Sequence, residues 1–287
     1  MLAELAEREA TGEIAAIYGE IRRLCAVPYV SSMQRHLATR PGWLPWVWTA
    51  LRPAFESGRA QTAAWRVTEA LQPPRLAPIS RDALRVWGVD AAAEASIDAV
   101  CASFVRVSPI NLVLAGLLRR LLDGERPRGP GGGATGWTPP PPIAALPAMP
   151  DAATLAPAHR AVLASLGTTV GAEPFVPGLY RLLAGWPGFL AHVATVLRPY
   201  FDDGATQAAC HRLVEAIEAE VPPVFAALPA LPPAPPVPPR EDFAGVLAAL
   251  DTYRRTSPEM VVFGLMIRHA LSSPPTAGVT DAAPGPR

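Results

Sequence analysis

The chain repeats itself, and that constrains its fold more than any other feature. Laid without a gap over residues 173–217, residues 27–71 match at 20 of 45 positions at a constant offset of 146, against roughly one in ten for unrelated stretches of such biased composition. The two stretches read VPYVSSMQRHLATRPGWLPWVWTALRPAFESGRAQTAAWRVTEAL and EPFVPGLYRLLAGWPGFLAHVATVLRPYFDDGATQAACHRLVEAI. A second block, SPINLVLAGLLRRLL at 108–122, lies over SPEMVVFGLMIRHAL at 257–271 with an offset of 149. Two like halves that each bury one face are expected to pack against one another as an intramolecular pseudo-dimer. The crevice between them is the default place for a ligand.

Residues 124–157 contain PRGPGGG and TPPPP, a composition that runs extended or as polyproline. The expected organisation is therefore a first repeat over 1–124, a linker over 125–156 and a second repeat over 157–287. A shorter proline tract at 221–240 sits inside the second half, and the last dozen residues are expected to fray. Each half reads as about six helices. Thr11 is placed to cap the first, with Ile14, Ile17, Tyr18, Ile21 and Leu24 at three-and-four spacing and Pro28 ending it. A short helix over Ser31–Ala38, a break at Pro41-Gly42, a stop at Gly58 and a helix over Gln61–Leu71 follow. Asp90 caps a helix to about Val107, and Ser108-Pro109 and Ser257-Pro258 open the last helix of each half. No stretch alternates with β-branched enrichment, so the predicted class is all-α.

Composition removes several functions. The 25 basic residues balance the 25 acidic ones, and 17% of the chain is charged, which gives no footprint for nucleic acid or an anionic membrane. Cys25, Cys101 and Cys210 are far apart and form no CxxC, so neither a disulfide framework nor a zinc or redox site is indicated. The acidic start, with Glu4, Glu7 and Glu9, is unlike a signal peptide, and no proline-free apolar run of about 18 residues occurs. A cytosolic protein is expected, without metal or cofactor and with a homodimer left open. His36, His159, His192, His211 and His269 are scattered, and Trp46 and Trp65 stand where the second half has His192 and His211. That pattern favours ring packing over ligation.

Arg35 and Arg181, Arg52 and Arg198, Arg66 and Arg212, and Glu69 and Glu215 recur in both halves. Residues kept by both copies more often serve the shared fold; the sharper reading is that one arginine faces the crevice and holds a carboxylate. Positions that differ between copies are better site candidates: Tyr29 against Phe175, Ser32 against Gly178, Gln34 against Tyr180, and Asn111 against Met260.

The duplicated VPxV, RxLAxxPGxL and LRP, the Ser-Pro before each last helix and the proline-rich link resemble the group I 2-haloacid dehalogenases, the halocarboxylic acid dehydrogenase DehI family, over roughly Thr11 to Leu271. The resemblance implies an all-α pseudo-dimer with its site between the halves. It implies hydrolysis of a carbon-halide bond in a 2-halocarboxylic acid by direct attack of water, with a carboxylate as general base and no ester intermediate. The family's catalytic aspartate falls at Leu179 and its water-orienting asparagine at Ser108; leucine has no proton to exchange. The substrate-binding residues implied are Tyr29, Ser32, Ser108, Asn111, Gly178, Leu179 and Tyr180. Backbone N–H groups after Ser108 and Pro177 are expected to receive the carboxylate. The alternative is a small-organic-acid binding protein, non-catalytic or of altered substrate, using the same pocket. Peroxidatic AhpD-like helical proteins need a CxxC that this chain lacks.

Overall fold

A computed structural model describes residues 3–130, 136–170, 173–231 and 238–272. In the first half, α1 (Gly12–Cys25), α2 (Ser32–Leu37), α3 (Trp43–Glu56), α4 (Arg59–Glu69), α5 (Arg81–Val86) and α6 (Ala91–Leu122) follow one another. After the linker come α7 (Pro157–Ser165), the strands β1 (Thr168–Val170) and β2 (Glu173–Phe175), α8 (Gly178–Leu183), α9 (Pro187–Phe201), α10 (Gly204–Ala226) and α11 (Phe243–Ser272). Single 3-10 turns occupy Glu7–Glu9, Ala152–Thr154 and Arg240–Asp242. The protein is all-α apart from a two-stranded antiparallel hairpin with Thr168 opposite Phe175. Strands of three residues are too short to show an alternating pattern, which is why the sequence gives no sign of them.

The start signals work as physical caps. Asp90 and Asp203 each accept a hydrogen bond from the backbone N–H three residues on, opening α6 and α10. α1 buries Ile17, Tyr18, Ile21, Leu24 and Cys25 along one stripe and stops at Ala26, whose φ of 53° is left-handed. Thr11 precedes α1 without a side-chain cap bond. Gly58, at φ 70°, turns α3 into α4.

Two expected helix starts are not found. α6 runs unbroken through Pro109 and α11 through Pro258, so Ser108 and Ser257 lie inside long helices and cap nothing. α10 likewise continues through Pro222 and Pro223 to Ala226, into the proline tract. An interior proline costs about 3 kcal/mol in an isolated helix. Here that cost is offset by burial: Val107, Ser108, Pro109, Ile110 and Asn111 are all buried in succession. The tail expected to fray lies outside the described residues.

α6 and α11 lie along one another through the centre of the molecule and form its main helix pairing. Two apolar cores flank them, and each takes residues from both repeats. The first joins Leu51, Trp43 and Leu117 to Ile217, Phe225, Val246 and Leu250; the second joins Phe189, Leu197 and Phe263 to Leu84, Ile97 and Val100. α6 also has the length and hydropathy of a membrane span, but 72% of its apolar window is buried inside the protein, as in a core helix.

Candidate functional site

Between the halves lies a cavity of about 370 Å3. The middles of the two central helices form its floor. Phe104, Val107, Ser108 and Asn111 of α6 share one helical face, as do Tyr253, Thr256, Ser257 and Met260 of α11. These are the same four positions of the repeat at the offset of 149. Ser31, Ser32 and Arg35 approach from α2, Pro177, Gly178 and Arg181 from α8, and Tyr29 and Phe175 just before those helices. The roof comes from the linker, with Ala145, Leu146, Pro147 and Met149.

Chemistry differs between the two sides although positions match. Ser31 turns its hydroxyl away from capping α2 and donates it to Gln34 Oε1 and, at 3.2 Å, to Asn111 Oδ1. Gln34 Nε2 donates to the same Asn111 oxygen at 3.1 Å. Among the described residues no group accepts the Asn111 amide hydrogens, and Asn111 lines the cavity. On the other side Tyr180 and Met260 occupy the positions of Gln34 and Asn111, and Tyr180 is fully buried with its hydroxyl unpaired.

The cations differ too. Arg35 pairs with Glu4 at 2.6 Å and reaches Ser32 Oγ at 3.3 Å. Arg181, its counterpart, has no ion-pair or hydrogen-bond partner for its guanidinium among the described residues. The uncapped amino ends of α2 and α8 open on the same space. A free guanidinium together with unpaired backbone N–H groups makes the cavity favourable to one small anion. Tyr29 adds a buried hydroxyl with no partner, its pKa pushed well up by burial, which keeps it a neutral donor. Its ring leans on Phe104 at 5.7 Å.

One carboxylate lines the cavity among the described residues, that of Glu7. Both its oxygens are engaged, one by Arg22 and one by the Val30 N–H at 2.8 Å. Among the described residues no three His, Cys, Asp or Glu side chains converge to hold a metal.

The residues singled out from the sequence separate into two groups. Tyr29, Ser32, Ser108, Asn111 and Gly178 line the cavity. Leu179 and Tyr180 do not: both are fully buried in the second core. A carboxylate at 179 would face apolar side chains, while Gly178 borders the cavity with room for a Cβ only 3.0 Å from the Phe104 ring. The anion site expected behind Ser108 is also absent, because α6 does not begin there. Glu7, Ser257, Tyr253 and the linker roof were missed. The repeat offset pairs Ser257 with Ser108, and so offered a route to that one. His192 stacks on Trp87 at 4.2 Å, away from the cavity.

The sequence matches no protein-family model and none of the curated proteins. Solved structures do match. A D-2-haloacid dehalogenase mutant superposes with a TM-score of 0.72 at 20% identity, covering 94% of this chain and 96% of its own. A complex of D-2-haloacid dehalogenase with L-LA gives 0.71 at 20% identity over 94% and 97% of the two chains. A mutant complex with D-2-CPA gives 0.64 at 21% identity over 94% of each. The helix order, the cavity between the halves and these superpositions agree: the chain has the fold of the D-2-haloacid dehalogenases, the group I architecture that its motifs resemble.

Proposed function

We propose that this dehalogenase-like protein binds a small 2-substituted carboxylic acid in the cavity between its repeats without hydrolysing it. Arg181 carries the reading. An unpaired guanidinium facing a cavity of about 370 Å3 is an anion site of the size of a small acid. The carboxylate sits against Arg181 and the amino end of α8, and the 2-substituent lies toward Ser108, Ser257 and the Asn111 amide. Phe104, Phe175 and Met260 enclose the apolar remainder. The solved neighbours are named for action on D-2-haloacids, which supports this ligand class. Three free cysteines, none paired, suit the cytosolic setting that belongs to this reading.

Turnover by the family's route needs a carboxylate free to take a proton from water. Leu179 supplies none, and Glu7 is held by Arg22 and the Val30 N–H. Its position on the cavity wall favours one rival reading, hydrolysis with Glu7 as base once Arg22 releases it. Chloride measured during incubation with each enantiomer of 2-chloropropionate separates the two. Binding without turnover predicts release no faster than in buffer; enzymatic release that Glu7→Gln abolishes would establish the rival.

A further inference from the structure

A second, larger recess lies on the other side of α11. It is a groove of about 720 Å3 between α10 and α11, within the second repeat and apart from the cavity between the halves. Its floor carries a residue that the repeat makes conspicuous. Glu259 occupies the position that Ile110, completely buried in the first core, holds in the other copy. A carboxylate in place of a core isoleucine costs stability unless it is paired.

Glu259 is half-buried and makes no ion pair or hydrogen bond among the described residues. Burial raises its pKa, and Arg255 opposes that rise. Of the nearby charges two are committed to ion pairs, while Arg255 keeps its charge beside Glu259 and His211 also lines the groove. Arg254 binds Glu218, Asp251 binds Arg119, and Arg255 donates to the Thr169 carbonyl. Glu215, exposed on the rim, makes no ion pair or hydrogen bond among the described residues. Burial and Glu259 push the Cys210 thiol up to about 12, so it stays neutral. Beneath the groove Tyr180, buried with an unpaired hydroxyl, feels Glu259 more than any other charge.

Apolar surface accompanies these acceptors. Tyr200, Phe201 and Phe263 line the groove, and the rings of Phe201 and Phe263 lie 5.0 Å apart. The matching groove of the first repeat, around Trp65, Glu69 and Arg106, is already crossed by the chain itself: Trp137, Thr138, Pro140 and Ile143 lie over it, and Arg106 holds the Pro141 carbonyl at 3.0 Å. The first-repeat groove, about 670 Å3, is thus walled in part by the linker, while its counterpart sets carboxylates beside aromatic rings.

We propose that the α10–α11 groove is a binding site for a small organic cation, a primary ammonium on an aromatic or aliphatic body. The ammonium donates to Glu259 and, at the rim, to Glu215, and the body lies on Phe201 and Phe263. A ligand of this charge is the reverse of the anion assigned to the cavity between the halves, so each assignment stands or falls alone.

The probe is benzylamine, titrated into the full chain by calorimetry beside its uncharged counterpart benzyl alcohol. Saturable binding of one equivalent of benzylamine is expected, with benzyl alcohol at least about tenfold weaker. Glu259→Gln weakens benzylamine by about tenfold and leaves 2-chloropropionate binding unchanged. Glu259→Ile, which installs the first repeat's residue, abolishes benzylamine binding and raises the melting temperature, so the test survives a poorly folding Gln variant. No saturable benzylamine binding, equal binding of the alcohol, or affinity unchanged in both Glu259 variants overturns the proposal.

Discussion

Asn111 receives both hydrogen bonds that organise one wall of the cavity, from Ser31 and from Gln34. Replacing it with the second repeat's residue, Asn111→Met, leaves the buried Gln34 amide without an acceptor. A loss of about 1–3 kcal/mol in urea unfolding is expected. Comparing the copies picked out Gln34 and Asn111 separately, because each differs from its counterpart; that they bond to each other is a tertiary fact. The same limit applied to the arginines. Arg35 and Arg181 are identical in the repeat, and what separates them is Glu4, which lies outside the duplicated stretch and neutralises one of the two. Glu7 was unreadable as a cavity residue for the same reason, since it reaches the site from a 3-10 turn before α1. At Leu179 the motif led to a core position. Leu179→Asp would bury an unpaired carboxylate among apolar side chains, costing about 3–5 kcal/mol. Urea denaturation should show that loss, and a chloride assay on any folded fraction should show no gain of hydrolysis.

Elements were legible where a side chain acts locally. Asp90 caps as its position suggests, and Gly58 turns the chain with a positive φ that glycine adopts without strain. They were misread where packing overrides local preference. Pro109 and Pro258 each remove a helical hydrogen bond, yet α6 and α11 continue because their flanks are buried against one another. Helix-to-helix distance offers a direct check on that packing. A Cβ added to Gly116 on α6 would lie 2.6 Å from Val221 Cγ2 on α10, and valine has little rotamer freedom with which to move aside. Gly116→Val is expected to force the two helices apart and to cost about 1–3 kcal/mol in denaturant unfolding. An unchanged midpoint would show that α10 shifts at no cost.

On the scale of the whole molecule the duplication was visible as a repeat, but the sharing of cores was not. Each apolar core takes side chains from both copies: α10 and the start of α11 complete the first, and α5 with the start of α6 completes the second. Residues 1–124 expressed alone would therefore expose the face that Ile217, Phe225 and Leu250 cover. Circular dichroism of that fragment is expected to show loss of the cooperative melt of the full chain, whereas a cooperative melt would mean the halves fold independently. The same interleaving creates the cavity, since α6 and α11 cross its floor together and the linker closes it. Its asymmetry then sets the chemistry, with Arg35 neutralised on one side and Arg181 open on the other. The most direct test of that account is calorimetric titration of 2-chloropropionate into the wild-type chain and into Arg181→Gln. The account predicts one saturable site in the wild type and affinity about tenfold to a hundredfold lower in the variant, with unchanged melting temperature. Absence of a saturable site, or equal affinity in the two proteins, would contradict it.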